Sequence, residues 1–326
     1  MIFLKLATTD PHVNLATEEY LFENSEDDVF MLWQNEPSII IGKNQNAFAE
    51  VNFDYVREKG INVARRITGG GAVYHDLGNV NYTFITTKRS KSGIDFVSFT
   101  SPIIEALRNI GIHAKLSGRN DLVIDDKKFS GNAQCTVNNR VLHHGTLLFD
   151  TELDVLSRAL RVDEIKLRSK AIKSVSSRVV NLKSIIDRRM EVKDFIDLIS
   201  DFVIKKFDPE ISAPPSFDKI EHLVIKQRSK EWIYPPRALV SDYEIRNKIK
   251  YDFGIVDVNI KMSSDKIADI KIFGDFFGTK EISELEQLLV GSSIFDINIL
   301  LQNISINEYI FGISNDEFMK QIKGQI

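Results

Sequence analysis

Three consecutive glycines, Gly69 to Gly71, stand between two short stretches that read as strands, Val63 to Thr68 and Ala72 to His75. Such a run lets the backbone turn with φ above zero and come close to a ligand, its N–H groups free to point at oxygens. Arg65 and Arg66 stand at the entry and add fixed positive charge in a fork geometry suited to carboxylate or phosphate. Together they describe an anion cradle. A bare triple glycine is more often a flexible hairpin loop with solvated arginines. The flanking Arg-Arg, His75-Asp76 and Gly78-Asn79 favour the ligand site.

Around this turn, short strand candidates alternate irregularly with helices. Met1 to Leu6, Val29 to Trp33, Ser38 to Ile41, Val80 to Thr86, His113 to Leu116, Leu122 to Asp125, Lys128 to Gln134 and Val141 to Phe149 read as strands, with Asp125-Asp126 as a tight hairpin turn. Helices are expected over Val13 to Phe22, with Val13, Ala16, Tyr20 and Leu21 on one side, after an Asn52 cap, and from Pro102 to a stop at Gly111. Val192, Phe195, Ile196, Ile199, Phe202 and Val203 form a core-facing helical stripe. The pattern predicts an α+β fold: a large domain, 1–236, of mixed or antiparallel sheets with flanking helices, and a small α+β accessory domain, 240–326.

With 42 basic and 46 acidic residues the net charge is −4, so no overall field holds a nucleic acid or an anionic membrane, and any anion must be met by local cations. The longest apolar run, Val29 to Trp33, is far short of the roughly 20 residues of a membrane span. MIFLKLATTD lacks the marks of a signal peptide, and one cysteine, Cys135, fits a reducing compartment, so a cytoplasmic location is expected.

Two further stretches carry chemistry. In Lys127-Lys128-Phe129-Ser130-Gly131-Asn132-Ala133, strand alternation lets only one lysine point into a cleft and places Phe129 on the side of Lys127. In isolation this is a solvated edge. In His143-His144-Gly145-Thr146 the two histidines must face opposite ways, one core and one surface, so they cannot share a metal, and no His/Cys set has zinc spacing. Cys135 reads as a small buried hydrophobe, and no P-loop, dinucleotide glycine motif, nucleophile elbow or zincin motif is present.

These residues carry a resemblance. RRITGGGAVYHDLGN resembles the Arg-Arg-x-x-Gly-Gly-Gly-x-Val-[Phe/Tyr]-His-Asp loop of lipoate-protein ligases, KFSGNA their lysine motif and HHGTLL their third block. NLATEEYLF, LWQNEPSIIIGKNQN, GRNDLVI, SVSSRVVNL and IFGDFFG follow in the family's order, over nearly the full length. The resemblance implies an ATP-dependent enzyme of the biotin/lipoate ligase superfamily. It would join lipoate and ATP into lipoyl-AMP and pyrophosphate, then pass the lipoyl group to a lysine of a carrier domain, either a 2-oxoacid dehydrogenase E2 subunit or the glycine cleavage H protein. A monomer is expected, with no nucleic-acid or membrane partner.

By the same resemblance Lys128 is the catalytic residue, polarising the acyl carbonyl and discouraging protonation of the incoming amine. Arg66 and the Gly69, Gly70 and Gly71 backbone would meet the two anions where charge accumulates. Asn79 and Asp121 are expected in the nucleotide region, with Mg2+ near Asp121 and no protein-only metal site. Thr68, Val73, His75, Ala133 and His144 are expected at or beside a narrow apolar tunnel for the lipoyl chain, His144 sharing a strand face with Leu142 and Thr146.

The chain departs from the family in EWIYPPRALVSDYEI, which keeps Trp232 and Tyr234 but lacks the family's glycine and asparagine pattern at the start of the accessory domain. Alternatives are a lipoyl or octanoyl transferase of the same fold without ATP activation, a transferase of pre-formed adenylate, and a non-catalytic lipoate-binding paralogue. The transferases' cysteine does not match Cys135, and the Gly-Arg-Gly-Arg loop of biotin ligases is missing.

Overall fold

The computed structural model describes residues 1–87, 94–161, 178–186, 189–235 and 240–324. In chain order its strands are β1 (Ile2–Lys5), β2 (Val29–Trp33), β3 (Ser38–Ile41), β4 (Asn62–Arg65), β5 (Val73–His75), β6 (Asn79–Thr87), β7 (Lys115–Ser117), β8 (Asp121–Ile124), β9 (Lys127–Val137), β10 (Arg140–Leu148) and β11 (Glu210–Ile211). Eight of them form one sheet in the order β11-β1-β2-β6-β10-β9-β8-β7, parallel at β11-β1-β2 and antiparallel elsewhere. A second sheet, β4-β3-β5, pairs β3 with β4 in parallel and with β5 antiparallel. The sheets are thus mixed, as the irregular strand and helix order predicts.

Every residue of β2 and β3 is buried, which matches their continuous apolar sequence, because each lies inside a sheet covered on both faces. On one face of the large sheet, Phe30, Tyr82, Phe84, Phe129 and Leu147 pack with Ile103 and Leu107 of the helix Phe96–Arg108 and with Phe195 and Ile199 of the helix Val192–Phe207. On the other, Met31, Trp33, Ile85 and Leu142 pack with Leu15, Leu21 and Phe22 of α1 (Pro11–Asn24). The single apolar side expected for α1 is instead two. Ala16, Val13 and Tyr20 face Ile220, Leu223 and Val224 of the helix Phe217–Arg228, so α1 is sandwiched between that helix and the sheet.

Pro102 does not open its helix. Asp95 caps seven residues earlier, its carboxylate accepting from Ser98 N and Ser98 Oγ, so the first turns form upstream and the proline lies inside. Asn52 caps its helix as expected by accepting from Tyr55 N. Asp125 and Asp126 take φ of 49° and 61°, the double left-handed turn that short-chain polar residues tolerate. Of the SVSSRVVNL block, residues 174–177 lie outside the described residues, as do 236–239 of the linker and Pro236 at the expected domain edge.

The C-terminal domain has its own antiparallel sheet of β12 (Ile245–Tyr251), β13 (Gly254–Ser263) and β14 (Lys266–Gly274). Val258, Ile270 and Ile272 pack there against Leu285 of the helix Ile282–Leu289 and Phe318 of the helix Asn315–Ile322. Among the described residues no helix is long and apolar enough to cross a membrane.

The histidine pair corrects one expectation. His143 and His144 do face opposite ways, but neither is on the surface, because helices cover both faces of the sheet. His143 stacks on Phe99 at 4.9 Å and contacts Phe96 and Tyr82, with neither ring nitrogen bonded, and burial holds its pKa well below the usual value. It is neutral when folded and titrates near 6.5 when unfolded, so its share of stability is present above about pH 6.5 and lost as pH falls below it. His143→Phe keeps the ring and removes that proton uptake. Urea midpoints at pH 7.5 and 5.5 are expected to show an acid penalty smaller than wild type by about 1.4 kcal/mol.

Candidate functional site

Arg66 leaves β4 with its backbone still on the ladder, its N–H donating to Ile41 O. The glycine turn follows, with Gly70 at φ 90°, a backbone that side chains other than hydrogen disfavour. The Arg66 guanidinium is buried under the turn. Its Nε donates to Thr68 Oγ1 at 3.0 Å, Nη1 to Ile40 O at 3.0 Å, and Nη2 to Gly69 O at 2.7 Å and Gly71 O at 2.8 Å. Burial lowers its pKa to about 10, opposed by the Glu18 carboxylate, so it stays charged at neutral pH. The role expected for Arg66 therefore changes: its donors hold the glycine loop in shape, and its charge, more than its N–H groups, reaches the cavity. Arg65 is a clamp to another part of the chain, donating to Gly42 O, Gln45 O and Ile233 O.

From Thr68 the network crosses to the sheet. His144 Nε2 lies 2.9 Å from Thr68 Oγ1, and His144 Nδ1 lies 2.9 Å from Glu18 Oε1 on α1. Glu18 also accepts from Thr83 Oγ1, which in turn accepts from Trp33 Nε1. With a proton on Nδ1 toward Glu18, Nε2 accepts the Thr68 hydroxyl, and each member of the chain has a partner. Sequence reasoning gave Glu18 no role. A carboxylate within a helix expected to present an apolar side was the available signal.

This frame encloses a cavity beside the turn. Arg66, Gly70, Gly71, Val73, His75, Lys128, Ala133 and His144 line it, together with Leu15, Trp33, Ile40, Asn81, Gly131 and Thr146. His144, Thr146 and Leu142 share the α1 side of β10, the first two in the cavity and Leu142 in the adjoining core. Lys128 stands at the mouth with its side chain 36% exposed, and its Nζ lies 2.7 Å from Asp121 Oδ1. A register shift between Leu122 and Val123 breaks the expected alternation on β9, so Phe129 is core while Lys127 is exposed. His75 is buried and its pKa falls to about 3, first through burial and then through the neighbouring Arg66 charge, so it is neutral.

Four expected residues lie off the lining. Thr68 is behind it in the network, and Asp121 reaches it through Lys128. Asn79 is buried and donates to Asn81 Oδ1, and Asn81, two residues further along β6, is the one in the cavity. Gly69 faces the C-terminal domain, where an added Cβ would sit 2.3 Å from Phe276 O.

That domain also alters the cradle. Gly70 N donates to Phe276 O at 3.3 Å, so this N–H is not free as the sequence suggested. The contact is reinforced by Arg119, whose guanidinium lies 4.4 Å from the centre of the Phe277 ring and donates to the carbonyls of Phe253 and Asp275. Cys135 packs, partly buried, against the core on the α1 side of the sheet, and desolvation pushes its thiol up to about 12.

A largely apolar cavity with a lysine at its mouth and a glycine turn at its rim, on a mixed sheet between helices, fits an α+β enzyme that accepts an apolar chain. Residues 10–203 match the model of the lipoyl protein ligase A/B catalytic domain, and residues 241–322 that of the bacterial lipoate protein ligase C-terminus. The chain belongs to the lipoate-protein ligase family. Lipoate-protein ligase LplJ of Bacillus subtilis is 40% identical over 96% of this chain and 97% of its own length. Among solved structures, Plasmodium falciparum LipL1 in complex with lipoate has a TM-score of 0.79 at 27% identity, covering 99% of this chain and 98% of that one. The bipartite ligase of Thermoplasma acidophilum, described with its E2 lipoyl domain, has a TM-score of 0.61 at 28% identity, over 72% of this chain and 95% of that one. A lipoate-protein ligase A bound with ATP scores 0.60 at 25% identity, over 72% of this chain and 98% of that one.

Proposed function

We propose that this chain activates free lipoate with ATP and then lipoylates a carrier lysine, acting in the cytoplasm as a monomer. A lipoate carboxylate oxygen attacks the α-phosphorus, the bond to the β-phosphate breaks, and pyrophosphate leaves. The neutral carrier amine next attacks the acyl carbonyl, AMP leaves, and an amide remains. The carriers are E2 subunits of 2-oxoacid dehydrogenases or the glycine cleavage H protein.

The observation that carries this reading is that Lys128 and the Gly70-Gly71 turn line the same cavity. Two anions must meet in the first step, and an ammonium aimed at the shared oxygens lowers that barrier most where water is excluded. The apolar stretch lined by Leu15, Trp33, Ile40 and Val73 suits an eight-carbon chain. Mg2+ would accompany the polyphosphate; one nearby carboxylate, Asp121, fits an ion held mainly by phosphate oxygens and water, and among the described residues no group of three potential ligands exists. The Gly70 N–H reaches a phosphate only after it releases Phe276, so use of this donor by the nucleotide is coupled to movement of the 240–326 domain away from 1–236 in this reading.

The test is pyrophosphate release from ATP and lipoate with no carrier present. Release dependent on lipoate is expected; its absence, with carrier modification retained from pre-formed adenylate or an acyl carrier, would make the chain a transferase.

A further inference from the structure

The cavity contains two buried N–H donors that the protein leaves without acceptors. His75 Nε2 and Asn81 Nδ2 have no hydrogen-bond partner, and the two residues are 3% and 1% exposed. The proton on His75 is fixed from a distance. Asn14 Nδ2, oriented by the backbone carbonyls of Thr8 and Gln34, shares its two hydrogens among these and Asn35 Oδ1, 2.9 Å away, so Asn35 turns its oxygen toward it. Asn35 then presents its Nδ2 to His75 Nδ1 at 3.0 Å. Nδ1 must accept, so the neutral ring carries its proton on Nε2. Asn81 Oδ1 accepts from Asn79 Nδ2 at 2.9 Å, and its own Nδ2 is unpaired.

An unpaired buried donor is costly, and a ligand that supplies an acceptor recovers that cost, whereas a plain hydrocarbon does not. Lys128, at the exposed mouth, is where the carboxyl must come to react, so the enclosed His75 meets the far part of the chain. Its T-shaped contact with Trp33, at 6.1 Å, sets it beside the aromatic wall. We infer that His75 and Asn81 are specificity-determining residues that favour an eight-carbon acid ending in a cyclic disulfide, whose sulfurs accept weakly, over the unsubstituted saturated acid. This deepens the reading proposed above and rests on it.

The test compares lipoate with octanoate in carrier-free pyrophosphate release by the full-length wild type, Asn81→Leu and His75→Phe. In the wild type kcat/KM is expected to favour lipoate by about tenfold or more, and in each folded variant the ratio falls toward one. Spectra of 15N-histidine-labelled wild type should show the Nε2–H form of His75 and a Nε2 shift larger with lipoate than with octanoate, a readout that needs no variant to fold. Equal use of both acids by the wild type, an unchanged ratio in the variants, or the proton on Nδ1 would overturn the inference. If the wild type releases pyrophosphate with neither acid, the ligase reading fails instead. Binding of the two acids without ATP then decides the specificity claim: tighter lipoate binding upholds it, and equal affinity overturns it.

Discussion

Lys128→Ala is expected to reduce carrier lipoylation by about 100-fold to 1000-fold, the range seen when one preorganised donor to developing charge is removed. The fold should survive. The side chain stands at the cavity mouth, 36% exposed, and its partner Asp121 is similarly open to water, so the ion pair adds little stability. The loss should fall on kcat of both half-reactions, since the ammonium opposes negative charge first on the carboxylate and phosphate and later on the acyl oxygen. Unfolding midpoints and single-turnover rates with lipoate, and separately with lipoyl-AMP, check it. Lipoylation within a few-fold of wild type would remove Lys128 from the chemistry.

Arg66→Ala should cost both stability and activity. Its guanidinium satisfies the carbonyls of Ile40, Gly69 and Gly71 and the Thr68 hydroxyl, and its charge answers the buried Glu18 carboxylate. Leaving a buried acceptor without its donor typically costs about 1–3 kcal/mol, and here several lose theirs at once. Arg66→Lys should recover only part of this, since an ammonium cannot span four acceptors in fork geometry. Guanidinium denaturation and lipoate-dependent pyrophosphate release of both variants test this together. A midpoint close to wild type for Arg66→Ala would show that the loop keeps its shape without the guanidinium.

The two results concern different parts of what the sequence made legible. β2 and β3 were readable to the residue because both faces of each are covered and their cores are runs of apolar residues. The Asp125-Asp126 turn was readable because its backbone signs are local chemistry. The glycine turn and Lys128 were recognisable as chemistry from residue type and family resemblance. That they line one cavity depends on β10 pairing with β6 and on Thr68 beside the turn meeting His144, long-range contacts that no local pattern contains. The same limit hid the second buried face of α1, the core position of His143 and the docking of Phe276 on Gly70. Alternation says that neighbouring side chains part company, but not what covers each side. Arg66 shows the limit for polar groups: a fork suited to an oxyanion fits main-chain carbonyls equally well, and here it meets them.

In the proposed reaction one lysine and one backbone turn act on the same bond. A crystal structure with lipoate and a non-hydrolysable ATP analogue measures this directly. Lys128 Nζ should leave Asp121 and lie within about 3.2 Å of both a lipoate carboxylate oxygen and an α-phosphate oxygen, with Gly70 N released from Phe276 O and turned to the nucleotide. A nucleotide bound away from the Gly69 to Gly71 turn, or a lipoate carboxylate out of reach of Lys128, would contradict it.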